Sequence, residues 1–262
     1  MINSIKIKER LSKKLNNLEI LTFDSVTSTN DVAKEYAKNN PAKEVIIISS
    51  NQTSGRGTKG RTFFSPDGTG IYMSAILRPA IDISKASLIT PYAALCVANA
   101  IKDVSDRTVQ IKWVNDVYID GKKTAGILCE SSLSVESSTI DYIIVGIGIN
   151  VFEPECGFPI ELKDIATSIF KSSTCDSKIK VIEDLCVSII NQLYEYTTNI
   201  DDKFFISEYK KMLCMINKDI TVFTPQSSYI AQAIDIDENA RLIVKTPEGE
   251  TKILDSGEIS IR

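Results

Sequence analysis

Apolar residues in this chain come in short, nearly unbroken runs. Val45 to Ser50, Ile71 to Leu77 and Asp141 to Val151 all read this way, which is the pattern of strands buried on both faces of a sheet. Ile20–Asp24, Val109–Trp113 and Val117–Ile119 add shorter strands, and Asp120-Gly121 supplies a two-residue hairpin turn into Lys122–Glu130. Helical spacing covers the first fifteen residues, the stretch from Asp31 that stops before Pro41, Ala86–Asp103 with Pro91 in its opening turns or at a kink, Lys178–Thr197 and Lys203–Cys214. Near Met215 the pattern changes to short β-like runs, Ile220–Thr224, Tyr229–Ile236, Arg241–Thr246, Thr251–Leu254 and Ile259–Ile261. Turn clusters separate them, which is the spacing of a small all-β barrel. The change divides the chain into residues 1–214 and 215–262.

Two interruptions of the apolar pattern point to chemistry. Gly146 and Gly148 sit inside the longest apolar strand, where glycine marks a close backbone approach, by a ligand or by a neighbouring chain. Ser28-Thr29-Asn30 places three N-cap-type residues at one helix start, more than the start requires. Either Thr29 or Asn30 caps and the others face a ligand, or all three serve the helix end.

Gly55 to Arg61 reads Gly-Arg-Gly-Thr-Lys-Gly-Arg directly after a strand. Successive free N–H groups in such a loop form an anion-holding concavity. Arg56 and Arg61 bring planar forks suited to carboxylate or phosphate. The same sequence also suits a flexible, solvated basic turn. It is neither a Walker A motif nor a G-x-G-x-x-G fingerprint.

Composition narrows the choice. The net charge of −4 gives no global field toward nucleic acid, so an anion site has to be local. No stretch approaches the ~18 apolar residues of a membrane span. Met1–Asn17 is basic and amphipathic without an apolar signal core, so it does not read as a secretory leader and a cytoplasmic protein is expected. The six cysteines, Cys96, Cys129, Cys156, Cys175, Cys186 and Cys214, include no C-x-x-C pair and read as reduced thiols. The 262 residues include no histidine. That removes imidazole bases, Ser-His and Cys-His triads and most zinc sites, and leaves charge placement, carboxylates, lysines and backbone dipoles.

Three further clusters fit that chemistry, each with a plainer alternative. Lys112-Trp113-Val114-Asn115-Asp116 joins a cation, an aromatic, an amide and a carboxylate; Asp116 suits Mg²⁺ beside phosphates or a turn cap. Lys123 follows the hairpin turn and, by alternation, leaves the sheet on the side of Ala125, as a site lysine or an exposed one. Asn150 ends the glycine-bearing strand and suits a ring edge, read by paired donor and acceptor, or an ordinary turn.

Taken together and in order, these stretches resemble the biotin protein ligases, also called biotin–[acetyl-CoA-carboxylase] ligases. The matching pieces are Ser28-Thr29-Asn30, Gln52 with Gly55-Arg-Gly-x-x-Gly-Arg61, Ser65-Pro66 with Gly70, Lys112-Trp-x-Asn-Asp116, Lys123 with Gly126-Ile-Leu-x-Glu130, Gly146-x-Gly-Ile-Asn150 and Ser256-Gly-Glu-Ile-Ser-Ile-Arg262. They span nearly the whole chain. The resemblance implies an α+β fold, with a mixed-sheet catalytic domain related to class II aminoacyl-tRNA synthetases followed by an SH3-like barrel. It implies synthesis of biotinyl-adenylate from biotin and Mg·ATP with release of pyrophosphate, then transfer to one lysine of a biotin carboxyl carrier protein.

By the same resemblance the biotin site takes Ser28, Thr29, Asn30, Gln52, Gly55, Arg56, Gly126, Gly146 and Gly148, with Lys123 on the biotin carboxylate and then on the adenylate phosphate. The ATP and adenylate side takes Arg56, Gly57, Thr58, Arg61, Phe63, Asn115, Ile149 and Asn150. Lys123, Arg61, Asp116 and Lys112 carry catalysis, and Asp116 meets the metal. Many relatives carry an N-terminal winged-helix domain of about 60 residues. Here roughly 20 residues precede the first strand, so a monofunctional ligase without DNA binding is expected; a homodimer is compatible. The alternatives are a lipoate or octanoate ligase, against which the glycine-arginine loop speaks, and a biotin sensor without turnover.

The chain departs from the family at three places. Thr58 stands where the loop commonly has arginine, Val114 where proline is usual, and Phe63 where a tryptophan often stacks on adenine. The first implies looser retention of biotinyl-adenylate, unless Lys59 compensates.

Overall fold

The long apolar runs become the centre of a seven-stranded mixed sheet. The computed structural model describes residues 2–79, 81, 83–133, 140–171, 178–198, 204–224 and 226–261; Met1, Cys175, Lys203 and Arg262, drawn on above, lie outside them. In chain order the elements are α1 (Ser4–Lys8), β1 (Glu19–Val26), α2 (Thr29–Asn39), β2 (Val45–Gln52), β3 (Gly70–Leu77), α3 (Ile89–Val104), β4 (Val109–Lys112), β5 (Asp116–Ile119), β6 (Lys122–Leu133), β7 (Ile140–Asn150), α4 (Lys178–Thr198) and α5 (Phe204–Met212). The sheet runs β1-β2-β3-β7-β6-β5-β4; β1 and β2 pair in parallel and every other neighbour antiparallel.

Its two faces are covered unequally. On one side Ile46, Ile48, Ile71, Met73, Val145, Ile147, Ile149, Ala125 and Val117 join the main core with residues of α3 and α4. On the other, α2 lays Ala33 and Ala37 over Val45, Ile47, Ile76, Tyr142 and Ile144. That smaller cluster accounts for the lack of alternation in β2 and β3, since both sets of side chains are buried.

Three expectations need correction. The opening helix spans only Ser4–Lys8; Asn3 caps it by accepting from the Ile5 and Lys6 N–H groups at 3.0 and 3.3 Å, and a 3₁₀ turn follows at Lys13–Leu15. The chain leaves the helix where the Ser12 N–H donates to Asn191 Oδ1 of α4 at 2.8 Å. The helix expected from Ala86 begins at Ile89 after a 3₁₀ segment, with Pro91 in the first turn, where its missing N–H costs no hydrogen bond. The third concerns Lys123. Asp120 and Gly121 both take positive φ, 50° and 75°, as the hairpin turn requires. A bulge then sets Lys123 opposite Tyr118 and Ala125 opposite Val117. Simple alternation fails across that bulge, and Lys123 lies on the face of Asp116 while Ala125 enters the core.

Beyond α5, β8 (Asp219–Phe223), β9 (Ser228–Ile236), β10 (Leu242–Lys245), β11 (Thr251–Leu254) and β12 (Glu258–Ile261) form an antiparallel sheet in the order β11-β10-β9-β8-β12. This small C-terminal domain is all-β, as its short strand runs predict, and the architecture as a whole is α+β. Trp113, the single tryptophan of the chain, fastens it to the main sheet. Its ring is 3% exposed, and Nε1 donates to the Ala240 carbonyl at 2.8 Å. Nearby the Tyr209 hydroxyl donates to the Val114 carbonyl at 2.9 Å, and the Cys214 N–H donates to the Ile111 carbonyl at 2.9 Å.

Replacing Trp113 by phenylalanine leaves the Ala240 carbonyl without its donor. Urea unfolding followed by circular dichroism should register a loss of about 1–3 kcal/mol, the cost of a buried polar group without its partner.

Candidate functional site

α2 begins over a part of its sheet face where three neighbouring strand positions, Gly126, Gly146 and Gly148, carry no side chain. Gly146 lies opposite Ser74 and Leu128, and Gly148 opposite Tyr72 and Gly126. A Cβ on Gly146 would fall 2.8 Å from Asn30 Cγ, and one on Gly148 would fall 2.7 Å from the Phe63 ring. Glycine is required at both positions because other groups already occupy the space above them.

The start of α2 turns its side chains onto this patch. Ser28 is the N-cap, in extended conformation, with no side-chain capping bond. The expectation that Thr29 or Asn30 caps is therefore wrong; both sit in the first turn, buried, with their side chains bonded to the sheet. Ser74 Oγ lies 2.6 Å from Asn30 Oδ1 and 2.8 Å from Thr29 Oγ1. The Thr29 N–H donates to Gln52 Oε1 at 2.8 Å, Gln52 Nε2 donates to Ser65 Oγ at 3.0 Å, and the Ser65 hydroxyl donates to the Phe63 carbonyl at 2.8 Å. Asn30 Nδ2 donates to Glu130 Oε2 at 2.9 Å and to the Leu128 carbonyl at 3.3 Å.

The Gly55–Arg61 segment is folded back on itself. The Gly57 N–H donates to the Arg61 carbonyl at 2.7 Å and the Phe63 N–H to the Gly55 carbonyl at 2.9 Å, with a turn of positive φ at Lys59 and Gly60. Arg56 forks onto Glu130 at 3.0 and 3.1 Å and reaches Asp31 at 2.7 Å. At the other end of the loop Arg61 and Lys59 meet Glu258 of β12 at 2.8 and 3.3 Å. Thr58 accepts weakly from the Arg61 guanidinium at 3.4 Å, through both its carbonyl and its hydroxyl.

Loop and sheet line a recess that gathers Ser28, Thr29, Asn30, Gln52, Arg56, Gly57, Thr58, Phe63, Asn115, Lys123, Gly126, Gly146 and Gly148. A second, larger recess opens beside it toward the C-terminal domain, with Arg61, Lys59, Lys112, Asp116 and Glu258 on its walls. Thr58 and Asn115 border both. Three expected residues lie outside. Gly55 packs against Ser65 and the Phe63 carbonyl at the root of the loop. Ile149 points into the core. Asn150 donates to the Thr167 carbonyl at 3.2 Å, beyond the first recess. Phe63 stands over Gly148 and edge-on to Tyr72, in the first recess.

Lys123 lines the first recess and reaches Asp116 on the wall of the second. Its Nζ is 2.6 Å from Asp116 Oδ1 and 3.0 Å from where a Cβ on Gly126 would be. Lys112, across β4 and β5 from Asp116, is half-buried. Burial pushes its ammonium below the ordinary lysine value, against the pull of Asp116 and aided by the nearby Lys123. The arrangement suits a small carboxylate in the first recess and a polyanion in the second, with Lys123 between them.

No role for Ser74, Asp31, Glu130 or Glu258 was legible in the sequence. Ser74 had a signal, a hydroxyl inside an otherwise apolar strand; the others required the tertiary pairing.

Residues 22–150 match the Biotin/lipoate A/B protein ligase family and residues 215–262 the Biotin protein ligase C terminal domain. Among curated relatives, the Bifunctional ligase/repressor BirA of Bacillus subtilis is 32% identical over 255 residues, covering 96% of this chain and 77% of that protein. The Biotin--[acetyl-CoA-carboxylase] ligase of Paracoccus denitrificans is 35% identical over 107 residues, 40% of this chain and 43% of that one. Among solved structures, the biotin protein ligase from Aquifex aeolicus in complex with biotin and ATP superposes with a TM-score of 0.74 at 26% identity, over 93% of this chain and 98% of that one.

Gly148→Ala should cost about 1–3 kcal/mol of unfolding free energy through overpacking against Phe63. In a Phe63→Leu background the penalty should fall below roughly 0.5 kcal/mol, because the two side chains compete for one space; chemical denaturation of the four proteins measures both terms.

Proposed function

The chain belongs to the biotin protein ligase family, and from that premise we infer how its two recesses work. The protein makes biotinyl-adenylate from biotin and ATP, with release of pyrophosphate, and passes the biotinyl group to a lysine of a carboxylase carrier protein. We propose that residues 1–214 carry this chemistry and that residues 215–262 complete the second recess. One observation carries the residue-level reading. Lys123 lines the first recess and pairs at 2.6 Å with Asp116 on the wall of the second, an arrangement that suits bringing a carboxylate and an α-phosphate together.

In this reading biotin enters the first recess. Its fused rings lie in the recess that Gly126, Gly146 and Gly148 help to line, and its ureido edge meets the polar groups of Ser28, Thr29, Asn30, Gln52 and Arg56. Lys123 neutralises the carboxylate so that it can approach the α-phosphorus. The polyphosphate occupies the second recess, facing Arg61 and Lys112, while Gly57, Thr58, Phe63 and Asn115 border the adenylate; Ile149 and Asn150, expected there, lie outside both recesses. Bond formation from the carboxylate oxygen to phosphorus expels pyrophosphate. Catalysis here is positioning and charge neutralisation, which the cations supply without histidine.

The metal fits a narrow description. Asp116 and Glu258 are the carboxylates on the second recess, each already paired with cations, and among the described residues no cluster of three metal-binding side chains exists. That donor set suits Mg²⁺ carried in on ATP, held by Asp116 and the phosphates themselves. When bound, the ion supplies neutralisation of phosphate charge. For transfer, the carrier lysine must attack as a neutral amine. Asp116 accepts its proton while AMP leaves, and Asp116→Asn should slow transfer from preformed adenylate by roughly 10²–10⁴-fold, read by single-turnover biotinylation.

The remaining parts of the proposal are simple. Net charge of −4 and the acidic pI give these 262 residues no pull toward DNA. No described helix is long and apolar enough to cross a membrane. The free thiols Cys96, Cys129, Cys156, Cys186 and Cys214 suit a reducing cytoplasm. β1 ends the main sheet with an unpaired edge among the described residues, on which a second copy has room to pair as a homodimer.

The decisive assay incubates the protein with ATP, Mg²⁺ and a biotin carboxyl carrier fragment. Pyrophosphate release and carrier modification should depend on biotin and be absent with lipoate; release driven by lipoate would overturn the substrate assignment. Thr58 supplies a sharper test. Lys59, the cation beside it, is spoken for by Glu258, so Thr58→Arg should slow adenylate release about ten- to a hundredfold, the worth of one charge-assisted hydrogen bond. Stopped-flow release with equal rates for the two proteins would refute this.

A further inference from the structure

One carboxylate in the site is used by none of these steps, yet three donors converge on it. Glu130 of β6 accepts from Arg56 through both oxygens, at 3.1 and 3.0 Å, and from Asn30 Nδ2 at 2.9 Å, while Lys34 Nζ stands 3.6 Å away. Its side chain is 20% exposed, against 47% for Asp31, the other carboxylate on Arg56. Glu130 and Leu128 flank the glycine patch on the recess face of the sheet, opposite Ile144 and Gly146.

We propose that Glu130 is a positioning residue for biotin binding, fixing Asn30 and Arg56 in their working orientations before ligand arrives. The inference rests on reading the first recess as the biotin site. The argument for Asn30 is one of donors and acceptors. Its amide nitrogen faces two acceptors, the Glu130 carboxylate and the Leu128 carbonyl, and its oxygen faces Ser74. A flipped amide would set its oxygen against both acceptors. Glu130 therefore decides which end of the amide is presented at the patch. Arg56 belongs to the loop and Glu130 to the sheet, so their two-bonded pair ties the root of the loop to the rigid part of the site. Burial acts to raise the Glu130 pKa, but the bonds from Asn30 and Arg56 outweigh it and hold the group below the ordinary glutamate range, so it stays an acceptor through the neutral range.

Glu130→Gln tests this with the shape kept. The glutamine nitrogen must meet either the Asn30 amide or the Arg56 fork, donor against donor. The biotin KM should rise about tenfold, the effect of ~1.4 kcal/mol. Single-turnover transfer from preformed biotinyl-adenylate should stay within about twofold, and the melting temperature within about 3 °C. Asp31→Asn, which removes an Arg56 partner without touching Asn30, should raise the biotin KM less. In an Arg56→Lys background the Glu130→Gln effect should shrink but persist, the remainder belonging to Asn30.

An unchanged biotin KM in Glu130→Gln overturns the proposal. So does a joint fall of transfer rate and melting temperature, since that is the signature of a merely structural residue. The wild type separates this from the function itself. If it releases no biotin-dependent pyrophosphate, the ligase reading of this site fails; if it does and Glu130→Gln matches it, only the role of Glu130 fails.

Discussion

The site exists because the most central part of the sheet has been left bare. β7 lies between β3 and β6, and every other residue near its end on one face is glycine. A methyl group at Gly146 or Gly148 would collide with Asn30 or Phe63. From this one steric constraint much else follows. The helix start can descend onto the strand, Ser74 can reach two of its side chains, and the loop from Gly55 can close from the other side. The opposite face of the same strands holds Val145, Ile147 and Ile149 in the main core, so the bare patch is backed by a rigid support.

Charge in the site is balanced internally. Arg56 has Glu130 and Asp31, Lys123 has Asp116, and Arg61 and Lys59 share Glu258. These pairs differ in strength by their surroundings. Lys59 and Arg61 are more than half exposed, and pairs of that kind contribute about 0–1 kcal/mol. An incoming polyphosphate carrying several charges can exchange for Glu258 at little cost. The Lys123–Asp116 pair is more enclosed, at 34% and 19%, and is stronger by the same reasoning. The outer cations are readily surrendered to a ligand, while the inner pair holds its geometry until the reacting groups arrive.

Much of this was legible in the residues. The apolar runs of β2, β3 and β7, the Asp-Gly hairpin and the short strands after Asp219 appear where their patterns place them, because burial on two faces and turn chemistry are local properties. The glycines of β7 signalled a close approach, and that approach is present. What sequence could not supply was register and partnership. A single bulge at Thr124 reversed the face of Lys123 relative to alternation. The polar triplet at the start of α2 looked like capping material, yet the groups that claim Thr29 and Asn30, namely Gln52, Ser74 and Glu130, lie 23 to 100 positions away. Glu258 was visible only as part of a terminal motif, since nothing local indicates that it faces Arg61.

That last pairing bears on how the molecule is made. Lys59 and Arg61 reach Glu258 across 199 and 197 residues, so the loop is synthesised well before its outer anchor. At a typical elongation rate of about 5–20 residues per second, roughly 10 to 40 s separate the appearance of the two. Until Glu258 has been made, the glycine-rich loop can be tied only at its Arg56 end, first by Asp31 and later by Glu130. The second recess, walled by β8 and β12, cannot take form before those strands have emerged. The nucleotide side of the site is therefore completed after the biotin side.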